Sequence, residues 1–168
     1  DILCELVILQ QLLLFLKISL CRFDNMSMEK RNMEIKVIVV DNSSELKARL
    51  TSILSDIEGV KVCKSFDDAV AAMQYVEENS VDLVFSDVVM PEISGITLAS
   101  MIYERPEHPE VVLLSGIPGF SLEAWKIRAF GFIIKPYTKA HIVDMIKKYQ
   151  QAVKDGLLER DVVYLGKR

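Results

Sequence analysis

Apolar positions fall into five short, near-continuous runs at 35–40, 60–63, 82–86, 110–114 and 132–134. Their β-branched and aromatic composition is that of strands covered on both faces. The stretches between them carry helical spacing. Leu46, Leu50, Ile53, Leu54 and Ile57 share one face of the first, with Asn42, Ser43 or Ser44 available as caps. Asp67 is the expected cap of the second, whose inward line is Val70, Met73 and Val76. Leu98, Met101 and Ile102 mark the third, and the fourth, near 121–129, is short. The fifth sets Ile142, Met145, Ile146, Tyr149 and Val153 against Lys139, Lys147 and Lys148. Five βα units over residues 35–154 predict an α/β domain. Its expected form is a five-stranded doubly wound parallel sheet, flavodoxin-like with order 2-1-3-4-5, and helices on both faces.

The flanks break this pattern. Residues 1–25 read as an apolar helical segment, and 2–20 is long enough to span a bilayer. Glu5, Gln10, Gln11 and Lys17 interrupt it, at a cost for a span. Ile2, Leu6, Leu9, Leu13, Leu16 and Leu20 also follow coiled-coil spacing. Three readings stay open: a membrane helix, a packing or dimerising helix, or the product of an upstream start ahead of Met26, Met28 and Met33. If residues 2–20 contact the membrane, Arg22, Lys30 and Arg31 hold the α/β domain on the cytoplasmic side. Residues 26–34 form a polar linker, and 155–168 a linker or the truncated start of an output domain. The first residue is Asp rather than Met, the mark expected of a fragment or processed product.

Composition narrows the class. Of 168 residues, 51% are hydrophobic, enough for a real core. The net charge of −4 provides no global basic field, so direct nucleic-acid binding by this fragment is not expected. Cys4, Cys21 and Cys63 show neither paired spacing nor a CxxC, consistent with a reducing cytoplasm. His108 and His141 stand apart and read as isolated surface residues rather than metal ligands.

Three of the predicted strands end in charge. Ile35 to Val40 is followed by Asp41, Leu83-Val84-Phe85 leads to Asp87, and Phe132-Ile133-Ile134 is followed by Lys135-Pro136. In an open α/β sheet, ligands bind beyond the carboxyl ends where strand order reverses, between strands 1 and 3 for this order. Two adjacent carboxylates repel unless a cation sits between them, and oxygen-only ligands favour Mg²⁺. By spacing alone, Asp41 as a helix cap and Asp87 as a turn former before Pro91 remain open. Ser115, ending Leu113-Leu114-Ser115-Gly116, and Lys135 add a hydroxyl and an ammonium. A carboxylate nucleophile with these partners suits in-line attack on a phosphoryl group, giving an acyl phosphate.

Four segments, in this order, resemble the receiver domain of bacterial two-component response regulators. They are Val-Val-Asp-Asn at 39–42, Ser-Asp-Val-Val-Met-Pro-Glu-Ile-Ser-Gly at 86–95, Leu-Leu-Ser-Gly at 113–116 and Gly-Phe-Ile-Ile-Lys-Pro-Tyr at 131–137. The resemblance implies a receiver domain over 35–154, phosphorylated on Asp87 by a sensor histidine kinase with Mg²⁺ as cofactor. It implies that Asp41, Asp87 and the Val89 carbonyl ligate the metal, with Asn42 acting through water. Ser115 takes the place of the switch hydroxyl, Lys135 of the site lysine and Phe132 of the aromatic that turns inward. A cis bond at Lys135–Pro136 is expected on the same ground. So are a signalling and homodimerising face made by helix 4, strand 5 and helix 5, and transcriptional control through an output domain. The implied protein is a cytoplasmic signalling switch, not an enzyme acting on a metabolite. Residues 124–132, Ala-Trp-Lys-Ile-Arg-Ala-Phe-Gly-Phe, are similar to receivers joined to LytTR-type or SARP-type DNA-binding outputs, while Trp125 also reads as a packing residue on a short helix.

Two departures from the pattern carry expectations. Asn42 stands where receivers have a second acid, which removes one negative charge and should weaken Mg²⁺ binding. Val89, two residues after the nucleophile, offers no polar help to an attacking water and should lengthen the phosphorylated state. Other classes fit less well. An aspartyl phosphohydrolase would place a second Asp at position 89, and a flavodoxin-like cofactor binder would have a glycine-rich loop in place of Asp-Asn-Ser-Ser. A phosphorylation-independent pseudo-receiver, acting as an interaction module, is the alternative that Asn42 keeps open.

Overall fold

The structure, a computed structural model, describes residues 34–156. The expectations placed on residues 1–33 and 157–168 lie outside the described residues. Among these, no helix is long and apolar enough to cross a membrane.

Strands and helices alternate along the described chain. The order is β1 (Ile35–Val40), α1 (Ser44–Ser55), β2 (Val60–Phe66), α2 (Ala69–Glu78), β3 (Leu83–Asp87) and α3 (Gly95–Tyr103). It continues with β4 (Glu110–Ser115), a 3₁₀ turn (Pro118–Phe120), α4 (Ser121–Lys126), β5 (Gly131–Ile134) and α5 (Lys139–Lys154). All pairings are parallel and the sheet order is β2-β1-β3-β4-β5, as the pattern predicts. Successive strand side chains point to opposite faces, so each apolar run feeds two cores. Val37, Val39, Leu83, Phe85, Val112, Leu114 and Ile133 pack under α1 and α5 with Leu50, Leu54, Ile142, Ile146 and Tyr149. Ile38, Val40, Val84, Val111 and Leu113 pack under α2, α3 and α4 with Ala72, Val76, Leu98, Ile102 and Ala124.

Short polar side chains start the helices. Ser43 accepts from the Leu46 N–H, Asp68 from Ala71, Ser94 from Thr97 and Thr138 from His141. His141 completes a capping box by accepting from the Thr138 N–H at 3.4 Å, so this exposed histidine shapes α5. Several local expectations are corrected. Asp68, not Asp67, caps α2, while Asp67 pairs with Lys47. The buried line of α2 is Ala69, Ala72 and Val76; Val70 faces solvent and Met73 is half-buried. β2 runs three residues beyond its apolar stretch. As an edge strand it tolerates exposed Lys61, Lys64 and Ser65, which also blunt the edge against pairing. The fourth helix ends at Lys126, just before Arg128 takes a positive φ of 58°.

Candidate functional site

Strand register assembles the site. Val40 lies opposite Ser86 in the β1–β3 pair, so the next residues, Asp41 and Asp87, emerge side by side at the carboxyl rim. Asp87 pairs with Leu114 across β4, and Ser115 with Ile134 across β5. Ser115 and Lys135 therefore reach the same rim. The Lys135 N–H donates to the Ser115 carbonyl at 2.8 Å, which ties the end of β5 to the end of β4. The bond between Lys135 and Pro136 is cis, as expected.

The Lys135 ammonium sits between the two carboxylates, 2.9 Å from Asp41 Oδ2 and 3.1 Å from Asp87 Oδ1. All three side chains are largely withdrawn from water, at 14%, 5% and 11% exposure, so their charges act in a medium that screens weakly. Burial pushes the Asp87 carboxyl above its ordinary value. The Lys135 charge and hydrogen bond and the Val89 N–H oppose this, while the Asp41 charge adds to it. For Lys135, burial works to lower the pKa, but hydrogen bonding to Asp41 and the charges of both carboxylates outweigh it and hold it above the usual value. One ammonium serves two carboxylates, which leaves one net negative charge at the rim.

The remaining predicted residues take distinct places around this triad. Ser115 is fully buried, and its Oγ accepts from the Ile117 N–H at 3.0 Å. Phe132 is half-buried against the core under α2 to α4. Val89 exposes its side chain to solvent while its N–H favours the ionised Asp87. Asn42 is exposed just beyond Asp41. Each Asp41 oxygen accepts one hydrogen bond, Oδ1 from Ser43 N–H at 2.8 Å and Oδ2 from Lys135 at 2.9 Å, with lone pairs to spare.

The donor set suits a hard cation. Two buried carboxylates with a residual negative charge and the neighbouring Asn42 amide offer oxygen donors. Among the described residues no group of three or more histidine, cysteine, aspartate or glutamate side chains gathers to hold a metal, so water and backbone oxygens would complete the shell. The residues present therefore fit Mg²⁺, with the exposed Asn42 adding an oxygen but no charge.

Three residues that lie within the receiver-like segments, but to which the sequence pattern assigns no role, also serve the site. Gly95 opens α3 against the phosphoacceptor candidate: a Cβ there would fall 2.0 Å from the Asp87 carbonyl oxygen and 2.8 Å from Ser86 Oγ. Any side chain at 95 would thus displace backbone. The Ser86 hydroxyl, wholly buried, donates to that same carbonyl at 3.0 Å. Tyr137, two residues after Lys135, is buried, and Arg49 of α1 lies over it.

A parallel sheet of this order, with two carboxylates and a lysine gathered at its carboxyl rim, is the arrangement that the receiver resemblance implies. Residues 37–147 match the response regulator receiver domain, and the chain belongs to that family. It is 28% identical over 119 residues to protein MrkE of Klebsiella pneumoniae, covering 71% of this chain and 44% of MrkE. It is 27% identical over 118 residues to the transcriptional regulatory protein YpdB of Escherichia coli K12, covering 70% and 48%. The chain thus spans about half the length of these relatives. The crystal structure of the MrkE response regulatory domain aligns with a TM-score of 0.68 at 27% identity, covering 72% of this chain and 99% of that one. A chain from the CheX–CheY–BeF₃–Mg²⁺ complex of Borrelia burgdorferi aligns with a TM-score of 0.61 at 27% identity, covering 67% and 86%.

Proposed function

We propose that Asp87 accepts a phosphoryl group from the phosphohistidine of a sensor kinase and that the domain is a cytoplasmic switch set by that event. The observation that carries this reading is the Lys135 ammonium held between Asp87 and Asp41. Its charge opposes the burial that raises the Asp87 pKa, and its contact with Oδ1 leaves the other carboxylate oxygen to attack phosphorus. The P–N bond breaks as the new P–O bond forms, its electron pair returning to the donor imidazole. Lys135 and nearby backbone N–H groups then face the charge gathered on the phosphoryl oxygens. Asp41, Asp87, the Val89 carbonyl and Asn42 through water would hold Mg²⁺, which supplies further neutralisation of those oxygens. On phosphorylation the Ser115 hydroxyl leaves the Ile117 N–H for the phosphoryl group, and Phe132 turns inward to fill the space. That couples the site to the surface formed by α4, β5 and α5. Leu122, Trp125 and Ile134 are 55%, 75% and 50% exposed there, an apolar surface suited to a homodimer. The similarity to YpdB, a transcriptional regulatory protein, supports transcriptional control as the output. The similarity to CheY in its complex with BeF₃ and Mg²⁺ supports the same site chemistry here.

One experiment tests the reading. The full chain is incubated with acetyl phosphate and Mg²⁺ and weighed intact. Wild type should gain one phosphoryl group, and Asp87→Asn or chelation should gain none. Labelling that persists in Asp87→Asn, or wild type that takes no label and ignores beryllofluoride, would overturn it in favour of a pseudo-receiver. Titrating the metal in the same assay, Asn42→Asp should reach half-saturation at a lower Mg²⁺ concentration, and sedimentation of the beryllofluoride-loaded chain should report a dimer.

A further inference from the structure

Lys135 can serve two carboxylates only if the segment that carries it is fixed. Its own N–H is tied to Ser115, and Thr138 caps α5 three residues later. Between them, Tyr137 buries its side chain to 4% exposure in the core that also holds Leu50 and Leu54 of α1. Arg49, the residue before Leu50, grips Tyr137 twice. Its Nη2 donates to the Tyr137 carbonyl at 3.1 Å, and its guanidinium carbon lies 5.5 Å from the centre of the Tyr137 ring. A planar cation that both hydrogen-bonds a carbonyl and covers the adjoining ring fixes position and orientation together; a lysine would do so less well. Arg49 belongs to a different βα unit, so this contact ties α1 to the β5–α5 loop beside the site. The Tyr137 hydroxyl also senses the site: burial raises its pKa, Lys135 and Arg49 oppose this, and Asp41 and Asp87 add to it.

We propose that Arg49 is a positioning residue for phosphoryl transfer, setting Lys135 against Asp87 and Asp41 by holding Tyr137. The proposal rests on Asp87 being the phosphoacceptor. The Arg49 guanidinium is directed to Tyr137 rather than to either carboxylate, so its effect passes through the loop.

The test uses the full chain with acetyl phosphate and Mg²⁺, following the single-turnover rate against donor concentration. Arg49→Ala should lower the maximal rate about tenfold, because a misplacement on the order of 1 Å in a catalytic group is felt at this scale. The half-saturating donor concentration should stay unchanged, and Arg49→Lys, which can still donate to the Tyr137 carbonyl but covers the ring less well, should recover only part of the rate. A maximal rate within about twofold of wild type in Arg49→Ala would overturn the proposal, as would a loss confined to half-saturation, which would make Arg49 a donor-binding residue. Arg49→Met, which keeps the contact with the ring but not the donor, replaces Arg49→Ala if the latter does not fold. Labelling Asp87→Asn alongside separates the two readings. Label lost in Asp87→Asn but taken up at the wild-type rate in Arg49→Ala sinks Arg49 alone. Label absent from wild type, or kept in Asp87→Asn, sinks the phosphoacceptor reading and this proposal with it.

Discussion

Both rims of the sheet withdraw a carboxylate from water, and they resolve the resulting cost in opposite ways. At the amino rim, burial pushes the Glu110 carboxyl up, against the charge of His108 and a hydrogen bond from Tyr103. The Tyr103 hydroxyl donates to Glu110 Oε2 at 3.3 Å and accepts from the Val111 N–H at 3.0 Å, while His108 packs edge-on with ring centroids 4.9 Å apart. A neutral hydroxyl satisfies that group, the surrounding backbone joins in, and the cluster locks α3 to β4. At the carboxyl rim, two carboxylates share one ammonium and retain a net charge. A satisfied polar cluster holds a fold together, whereas a cluster with charge left over is poised for a ligand.

The sharpest test of that contrast is Lys135→Met. Removing the shared cation strands two buried carboxylates, with an expected stability loss of about 3 kcal/mol near neutral pH. Phosphoryl transfer should fall by about two to three orders of magnitude. Urea denaturation and the labelling rate check the two losses. In wild type the raised Lys135 pKa means this contribution is fully present below the ordinary value of 10.5 and disappears as pH climbs through the folded one. Next in size, Tyr103→Phe leaves Glu110 and the Val111 N–H short of a partner and should cost about 2 kcal/mol. Labelling should be untouched, and a slowed rate would break the division between structural and functional rims. The smallest effect has the opposite sign. Because the Asp87 pKa is raised, its contribution to stability is present below 3.8 and is lost as pH rises through the folded value. Asp87→Asn should therefore stabilise the unphosphorylated chain at neutral pH, by less than the Tyr103→Phe loss, and by nothing in acid. Melting temperatures of both proteins across acid to neutral pH would show it, and an equal gain at every pH would assign the effect to packing instead.

The carboxyl rim is legible in the sequence because its charges follow unbroken apolar strands, and strand order alone then puts Asp41 beside Asp87. The amino rim is not. Tyr103, His108 and Glu110 lie on a helix end, a loop and a strand start, with no spacing that predicts their meeting, and His108 reads as an isolated surface residue. Its half-buried place against Tyr103 comes from the loop that turns α3 back to β4. The inward face of α2 escapes the pattern for a related reason. Ala69 and Ala72 carry too little hydrophobic signal to outweigh Val70 and Met73, yet small side chains let the helix lie close to the sheet. Arg49 is invisible because a basic residue on an exposed helix face looks like any solvated charge until its partner across the fold is known.

Trp125 is the only tryptophan in the chain, and three quarters of it faces solvent on α4. Tryptophan emission, excited apart from the tyrosines, is therefore an optical gauge of that one surface. Unfolding moves the indole from water to water and should leave the signal nearly flat, whereas anything that settles over α4 changes its colour without an added label.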